Sequence, residues 1–202
     1  STRRAAVAYW ADEVPQWSPD GRFLAFTMQD HVYIAPANGG LPQKISDFAA
    51  SASSLVWLPD GNQLVVSVER NDQVQLLLTD RHGRWPRQII QTPGDAWDAK
   101  PSPDGRFFLF THRPFDDMNR LDIWLVELET GQLRQLTNTP KLRNWGGIWS
   151  PDGQQIAFIS QRPEFNEVWL VQPDGSGLRQ LSQEGADFAD LAWSPDGSQI
   201  AF

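Results

Sequence analysis

Cysteine is absent from these 202 residues, and histidine (3), methionine (2) and tyrosine (2) are scarce. Without cysteine there is no disulfide and no thiolate metal site. No stretch approaches the roughly 18 consecutive apolar residues of a membrane-spanning helix. Positive charge is in deficit too: 17 Lys and Arg against 25 Asp and Glu leave a formal net charge of −8. That charge repels phosphate backbones, and the basic residues are scattered, so neither nucleic acid nor a membrane span is expected. Helix signals are weak, because Gly and Pro (15 of each) interrupt the chain before any 3.6-residue period is established. The opening STRRAAVAYWADEV has a short apolar stretch that Asp12 and Glu13 cut off at once, so it reads as mature sequence rather than a signal peptide.

What is present is tryptophan, ten residues of it, and a phrase that repeats. WSPDGRFLAF at 17–26 returns as WSPDGQQIAF at 149–158 and WSPDGSQIAF at 193–202. Its Pro-Asp-Gly core begins at Pro19, Pro59, Pro103, Pro151 and Pro195, which lie 40, 44, 48 and 44 residues apart. Self-similarity at that period is the signature of a four-stranded propeller blade. Proline presets φ at the second turn position and Gly supplies the left-handed residue, so each core predicts a tight turn between strands A and B. Asp20, Gly21, Asp60, Gly61, Asp104, Gly105, Asp152, Gly153, Asp196 and Gly197 are therefore read as structural turn residues. The strands that follow, such as RFLAF and QQIAF, are apolar on both faces, as expected of strands packed between neighbouring blades.

A third strand (C) follows in each repeat, at 31–37, 74–80, 121–128 and 166–173, then a second turn and a short fourth strand (D). The chain thus reads as all-β, a β-propeller of four-stranded antiparallel blades over about 14–46, 55–91, 98–138 and 146–182. Partial blades are expected at 1–10 and 191–202, the whole forming part of a larger propeller. In an alternative reading the N-terminal strand completes the last blade of a five-bladed ring.

A Trp-Ser-Pro-Asp-Gly turn followed by a strand ending in Ile-Ala-Phe resembles the TolB-type, WD-like propeller repeat. Leu58 replaces the Ser in the second copy, and Pro101 replaces the Trp in the third. The same repeat occurs in TolB, in uncharacterised bacterial proteins and in the N-terminal propellers of the prolyl oligopeptidase family of serine peptidases. The RP-containing loops THRPFDD and SQRPEF look most like those peptidase propellers. The resemblance implies a non-catalytic propeller that gates or regulates a serine peptidase, with an α/β-hydrolase domain elsewhere in the same parent chain. The alternative is a TolB-like stand-alone scaffold that binds a protein partner. The first implies a cytoplasmic protein and the second a periplasmic one.

The chain itself shows no chemistry. No G-x-S-x-G nucleophile elbow occurs, since Asp174 and Asp196 stand where the first Gly is required before Ser176 and Ser198. His31, His82 and His112 lie in three different repeats without metal-ligand spacing and are read as ordinary loop residues. Asp116 and Asp117 read as a solvated loop. No catalytic, cofactor or metal residue is expected.

Strand direction does make one functional prediction. The A–B and C–D turns share one end of each blade, and the B–C and D–A loops share the other. Length variation falls mostly on the B–C loops, and binding residues concentrate on loops held by a rigid scaffold. Arg113, Phe115, Arg162 and Phe165 are expected in B–C loops, with Trp97 and Trp145 in D–A connections beside Trp10, Phe48 and Phe188. The first four and the two Trp form the candidate contact face, the D–A aromatics also serving as wedges between blades. Exposed strand edges predict self-association.

Overall fold

A computed structural model describes residues 14–46, 48, 50–140, 142–163, 165–182 and 190–202. Blade I contains β1 (Gln16–Trp17), β2 (Phe23–Met28), β3 (His31–Pro36) and β4 (Gln43–Lys44). Blade II contains β5 (Ser51–Trp57), β6 (Gln63–Arg70), β7 (Gln73–Asp80) and β8 (Arg87–Gln88). Blade III contains β9 (Gly94–Pro101), β10 (Phe107–Pro114), β11 (Asp122–Glu127) and β12 (Leu133–Gln135). Blade IV contains β13 (Arg143–Trp149), β14 (Ile156–Gln161), β15 (Asn166–Val171) and β16 (Arg179–Gln180), and a hairpin of β17 (Ala192–Trp193) and β18 (Ile200–Ala201) follows. Each blade is an antiparallel meander with its strands in chain order. No helix occurs among the described residues, so none there is long and apolar enough to cross a membrane. The strands divide between two compact units, Ser1–Gln91 with blades I and II, and Thr92–Phe202 with blades III and IV and the hairpin.

The repeated phrase has one hydrogen-bond pattern. Ser18 Oγ donates to Asp20 Oδ1 at 2.7 Å and accepts the Phe23 amide at 2.9 Å, while the Arg22 amide donates to Asp20 Oδ1 at 3.0 Å. The same three bonds recur around Ser102–Asp104, Ser150–Asp152 and Ser194–Asp196. Where Leu58 replaces the Ser, Asp60 Oδ1 accepts both the Asn62 amide (2.9 Å) and the Gln63 amide (3.2 Å). The aspartate takes over the donor that serine satisfies elsewhere, so the turn survives the substitution.

Within each unit the turns and the Trp stitch one blade to the next. Trp57 Nε1 donates to the Gln16 carbonyl at 3.1 Å, and Trp149 Nε1 donates to the Lys100 carbonyl at 3.1 Å. Gln16 and Lys100 each sit one residue before the phrase of the preceding blade, so the two bonds are the same bond repeated. A Cβ on Gly153 would meet the Pro103 ring at 3.5 Å, and one on Gly61 would meet Pro19 at 3.8 Å, so each turn leans on the one before it. Trp193 stands at the same place in the last copy, but its shielded Nε1 has no partner among the described residues.

The two-faced apolar strands form cores between blades. Ala25, Val32 and Ile34 of blade I pack with Leu64, Val66, Val68 and Leu77 of blade II. Leu109, Ile123 and Leu125 of blade III pack with Ile156, Phe158 and Val171 of blade IV.

Strand A departs from simple alternation. The pairing of β5, β9 and β13 with their B strands shifts register between Ala52 and Ser54, between Leu109 and Thr111, and between Trp145 and Ile148. Asp98 and Gly146 lie inside the last two bulges with φ of 55° and 62°. Extra residues break the period of two while the ladder continues past them. Trp97 and Trp145 therefore lie in β9 and β13, not in D–A connections. The segment 1–10, Trp10 and Phe188 lie outside the described residues, and Phe48 is buried in the core of the first unit.

The turn aspartates make the fold acid-sensitive. Hydrogen bonds from Ser18 and the Arg22 backbone hold Asp20 at about 2, and those from Ser194 and Ser198 hold Asp196 at about 2. Asp104 and Asp152 are lowered mainly by Ser102 and Ser150. A folded pKa below the unfolded 3.8 means that these groups stabilise the fold fully above that pH and lose their contribution as pH falls towards 2. Thermal melts at successive pH values are expected to hold a plateau down to about pH 4 and fall steeply below it. The Asp152→Asn variant should show a shallower fall, and an unchanged acid limb in it would contradict the assignment.

Candidate functional site

At the loop end the blades differ in the way their sequences dictate. Blades I and II close their B–C loops with Gln29-Asp30 and Asn71-Asp72, all at φ between 50° and 63°, the two-residue turn matched to strand twist. Blades III and IV insert longer loops, after Pro114 and after Gln161. Asp117 organises the first by accepting the Asn119 amide through its side chain (3.2 Å) and the Arg120 amide through its carbonyl (3.0 Å). Asp116 is exposed in the same turn.

Asn144 ties these two loop ends together. It is 2 % exposed, and its amide donates to the Leu121 carbonyl at 2.9 Å. Its Nδ2 donates to Thr139 Oγ1 at 2.8 Å, and its Oδ1 accepts Ser160 Oγ at 2.7 Å. A parallel bridge from Leu121 to Arg143 extends the seam.

On this frame each of these two blades carries a guanidinium over an indole. Arg113, at the end of β10, lies 5.4 Å from the Trp97 ring centroid. It also pairs with the buried Asp95 carboxylate, its Nε donating at 3.1 Å and its Nη2 closer still. Arg162 lies 4.6 Å over the Trp169 ring and donates through Nε to Glu167 Oε2 at 3.2 Å, and Trp169 Nε1 donates to the same oxygen at 2.9 Å. Phe115 and Phe165 follow these arginines in the chain and are 49 % and 52 % exposed. The Arg162 amide donates to the Phe165 carbonyl at 2.8 Å, which closes the blade IV loop around its Phe.

The partner of Arg162 is thus Trp169, which the sequence reading did not single out, while Trp145 sits half-buried in β13. A signal was available: the C strands IWLV and VWLV both carry Trp, at Trp124 and Trp169, which pair with Phe110 and Phe158 of their B strands.

Beneath the blade III stack lies a buried polar group. Asp122 is 1 % exposed and accepts Arg120 Nε at 2.6 Å, Thr137 Oγ1 at 3.1 Å and Gln135 Nε2 at 3.1 Å. Burial pushes its carboxyl up, with Arg120 opposing. His112 is not the loop residue expected from sequence: it is paired with Asp122 in the ladder, 5 % exposed, and packed edge-on against Trp124. Its Nε2 has no hydrogen-bond partner among the described residues, and burial lowers its pKa. His31 begins β3 and His82 occupies a C–D turn, so the three histidines remain apart. Among the described residues no group of three or more His, Asp or Glu is placed to hold a metal ion.

Chemically, the arrangement presents hydrogen-bond donors beside apolar area. Each guanidinium is held by a carboxylate and lies over an indole ring, which leaves further N–H donors for a partner's carbonyl or carboxylate groups. An exposed Phe beside each stack adds apolar area.

The sheets are β-propeller blades, and their repeats are similar to those of TolB and of a peptidase. The chain is 27 % identical to the putative TolB from Agrobacterium tumefaciens, whose solved structure superposes with a TM-score of 0.78 over 93 % of this chain and 68 % of that one. An uncharacterised protein of Agrobacterium fabrum, Atu1656, is 30 % identical over 189 residues, covering 90 % of this chain and 62 % of its own length. The Tol-Pal system protein TolB of Anaeromyxobacter dehalogenans is 31 % identical over 170 residues, 83 % of this chain and 33 % of that protein. The uncharacterised peptidase YuxL of Bacillus subtilis is 26 % identical over 161 residues, 76 % of this chain and 22 % of the peptidase. The chain thus resembles both TolB and peptidase-family propellers, and spans between a fifth and two thirds of these three curated relatives. No protein-family model matches it.

Proposed function

We propose that this chain is a non-catalytic β-propeller domain that binds a polypeptide partner across the loop ends of blades III and IV. The observation that carries the proposal is the repetition, in two adjoining blades, of an arginine stacked on tryptophan with an exposed phenylalanine next in line. Arg and aromatic side chains dominate interface energetics when presented rigidly. The likeness to TolB, a protein of the Tol-Pal system, supports binding of a protein partner.

The test uses twelve-residue peptides selected by display on the wild-type chain and measured by calorimetry. Phe115→Ala with Phe165→Ala should weaken the selected peptides about 10–100-fold with little change in melting temperature, because both rings are exposed. Arg113 and Arg162 are better tested as Lys, since truncating Arg113 would leave the Asp95 carboxylate buried and unpaired. Unchanged affinity in the double Phe variant would place the binding surface elsewhere.

The likeness to the peptidase YuxL favours a second reading, in which the propeller gates a serine peptidase and the same surface meets an α/β-hydrolase domain. A parent reading frame encoding G-x-S-x-G followed by Asp and His supports it. A frame without them leaves the stand-alone scaffold.

A further inference from the structure

We infer that the C–D turn of blade II with the first residue of β8, residues 81–87, is a separate docking surface that takes an acidic polypeptide segment carrying an apolar or aromatic side chain. The turn reads RHGRWPR: three arginines and a histidine in seven residues with no acid among them, on a chain of net charge −8. At its tip Trp85 is 78 % exposed, with the Arg84 guanidinium 4.9 Å over its ring. Its φ is 52°, a conformation that bulky side chains rarely adopt, and Pro86 follows it directly. An indole held out in solvent at the expense of backbone strain contributes little to the fold, and strain of this kind collects at functional positions.

The turn is held rigidly. Asp80 Oδ1 accepts the His82 amide (2.9 Å) and the Arg84 amide (2.8 Å), and its Oδ2 accepts Arg84 Nε (2.8 Å). The Arg84 carbonyl accepts Thr79 Oγ1 at 3.1 Å, and the Gly83 amide donates to the Asp80 carbonyl at 2.9 Å. Gly83 lies so close to blade I that a Cβ would sit 1.8 Å from the Ile45 carbonyl oxygen. A preorganised Trp loses little further freedom when a partner covers it.

Charge selects the occupant. Arg81 rests 5.1 Å over the Phe23 ring and has no carboxylate partner among the described residues. Arg84 meets Asp80 through Nε, which leaves its outer guanidinium N–H groups facing away from that bond. Carboxylates on an extended segment would meet both, with an apolar side chain against the indole. This surface lies on blade II and does not depend on the blade III–IV reading.

The test is fluorescence anisotropy of a labelled peptide of alternating Glu and Asp around one Leu-Phe pair, at 50 and 300 mM NaCl. The wild-type chain should bind it and lose about tenfold at the higher salt, as exposed charges are screened. Trp85→Asn should weaken binding about tenfold while raising the melting temperature by about 2–4 °C, because Asn tolerates positive φ. Arg81→Gln should weaken binding severalfold. The inference is overturned if the wild-type chain does not bind, if Trp85→Asn binds equally well, or if the Gln/Asn version of the peptide binds as tightly. It is also overturned if phosphatidylglycerol vesicles bind through Trp85 and the peptide does not.

Discussion

Gly94→Ala is expected to destabilise the chain by about 3 kcal/mol and to disorganise the loop end of blade III. Gly94 opens β9 at φ 146°, and a Cβ there would lie 2.4 Å from the Arg113 carbonyl oxygen and 2.5 Å from His112 Nε2. Neither neighbour can retreat cheaply. The first is backbone in the β9–β10 ladder, where Gly94 faces Pro114 and Asp95 faces Arg113, and the second is a buried ring. Parting those strands would pull Arg113 from Asp95 and from the Trp97 face, so loss of stability and loss of peptide binding should appear together. Gly131→Ala is the control: its φ is 70°, but nothing lies within 4 Å of the added methyl, so only the conformational cost of about 1 kcal/mol remains. Urea denaturation of the two variants separates steric collision from backbone strain. Equal losses would mean that the close approach at Gly94 is not what requires glycine.

Trp57→Ala is expected to cost about 3–5 kcal/mol, the usual range for removing a buried Trp. The indole is 5 % exposed within the core between blades I and II, and its Nε1 carries the bond to the Gln16 carbonyl. Trp57→Phe keeps most of the packing and loses that bond, at about 1 kcal/mol. Trp17 opens the same phrase but is 57 % exposed, so Trp17→Ala should cost under about 0.5 kcal/mol. Three unfolding curves thus separate the motif's sequence from its work: one residue type at one motif position should span nearly the whole range of effects. A Trp17→Ala cost as large as that of Trp57→Ala would show that the inter-blade bond and burial are not what the Trp supplies.

The architecture was legible because repetition and period-two patterning carry it. Five Pro-Asp-Gly cores gave the turns, and the apolar runs after them became β2, β6, β10, β14 and β18. The C strands were equally clear, since HVYIAP and NEVWLV fall between evident turn residues. The starts of the A strands were not. The bulges at Ser53, at Asp98–Ala99 and at Gly146–Gly147 interrupt alternation, so GDAW and RNW read as connections although they pair with the B strands.

At the candidate site, Arg113, Phe115, Arg162 and Phe165 stood out as aromatic and basic residues expected in the variable loops, but Arg113 lies in β10, paired with Asp95 in the ladder rather than in the loop. Their supports did not stand out. Asp95, Asn144, Glu167 and Trp169 act through contacts between strands, and no local pattern announces which carboxylate a guanidinium will meet. His112 was misread for a related reason: THRP has the composition of a loop, yet the ladder with β11 runs through to His112, opposite Asp122. The strain at Trp85 was invisible for the same reason, since φ is a property of the folded turn.

The most direct test of the binding account is hydrogen–deuterium exchange of the wild-type chain with and without a display-selected peptide. The account predicts slowed exchange in the amides around 112–121 and 160–167, with the Pro-Asp-Gly turns at the opposite end unchanged. Protection confined to those turns, or none at either end, would contradict it.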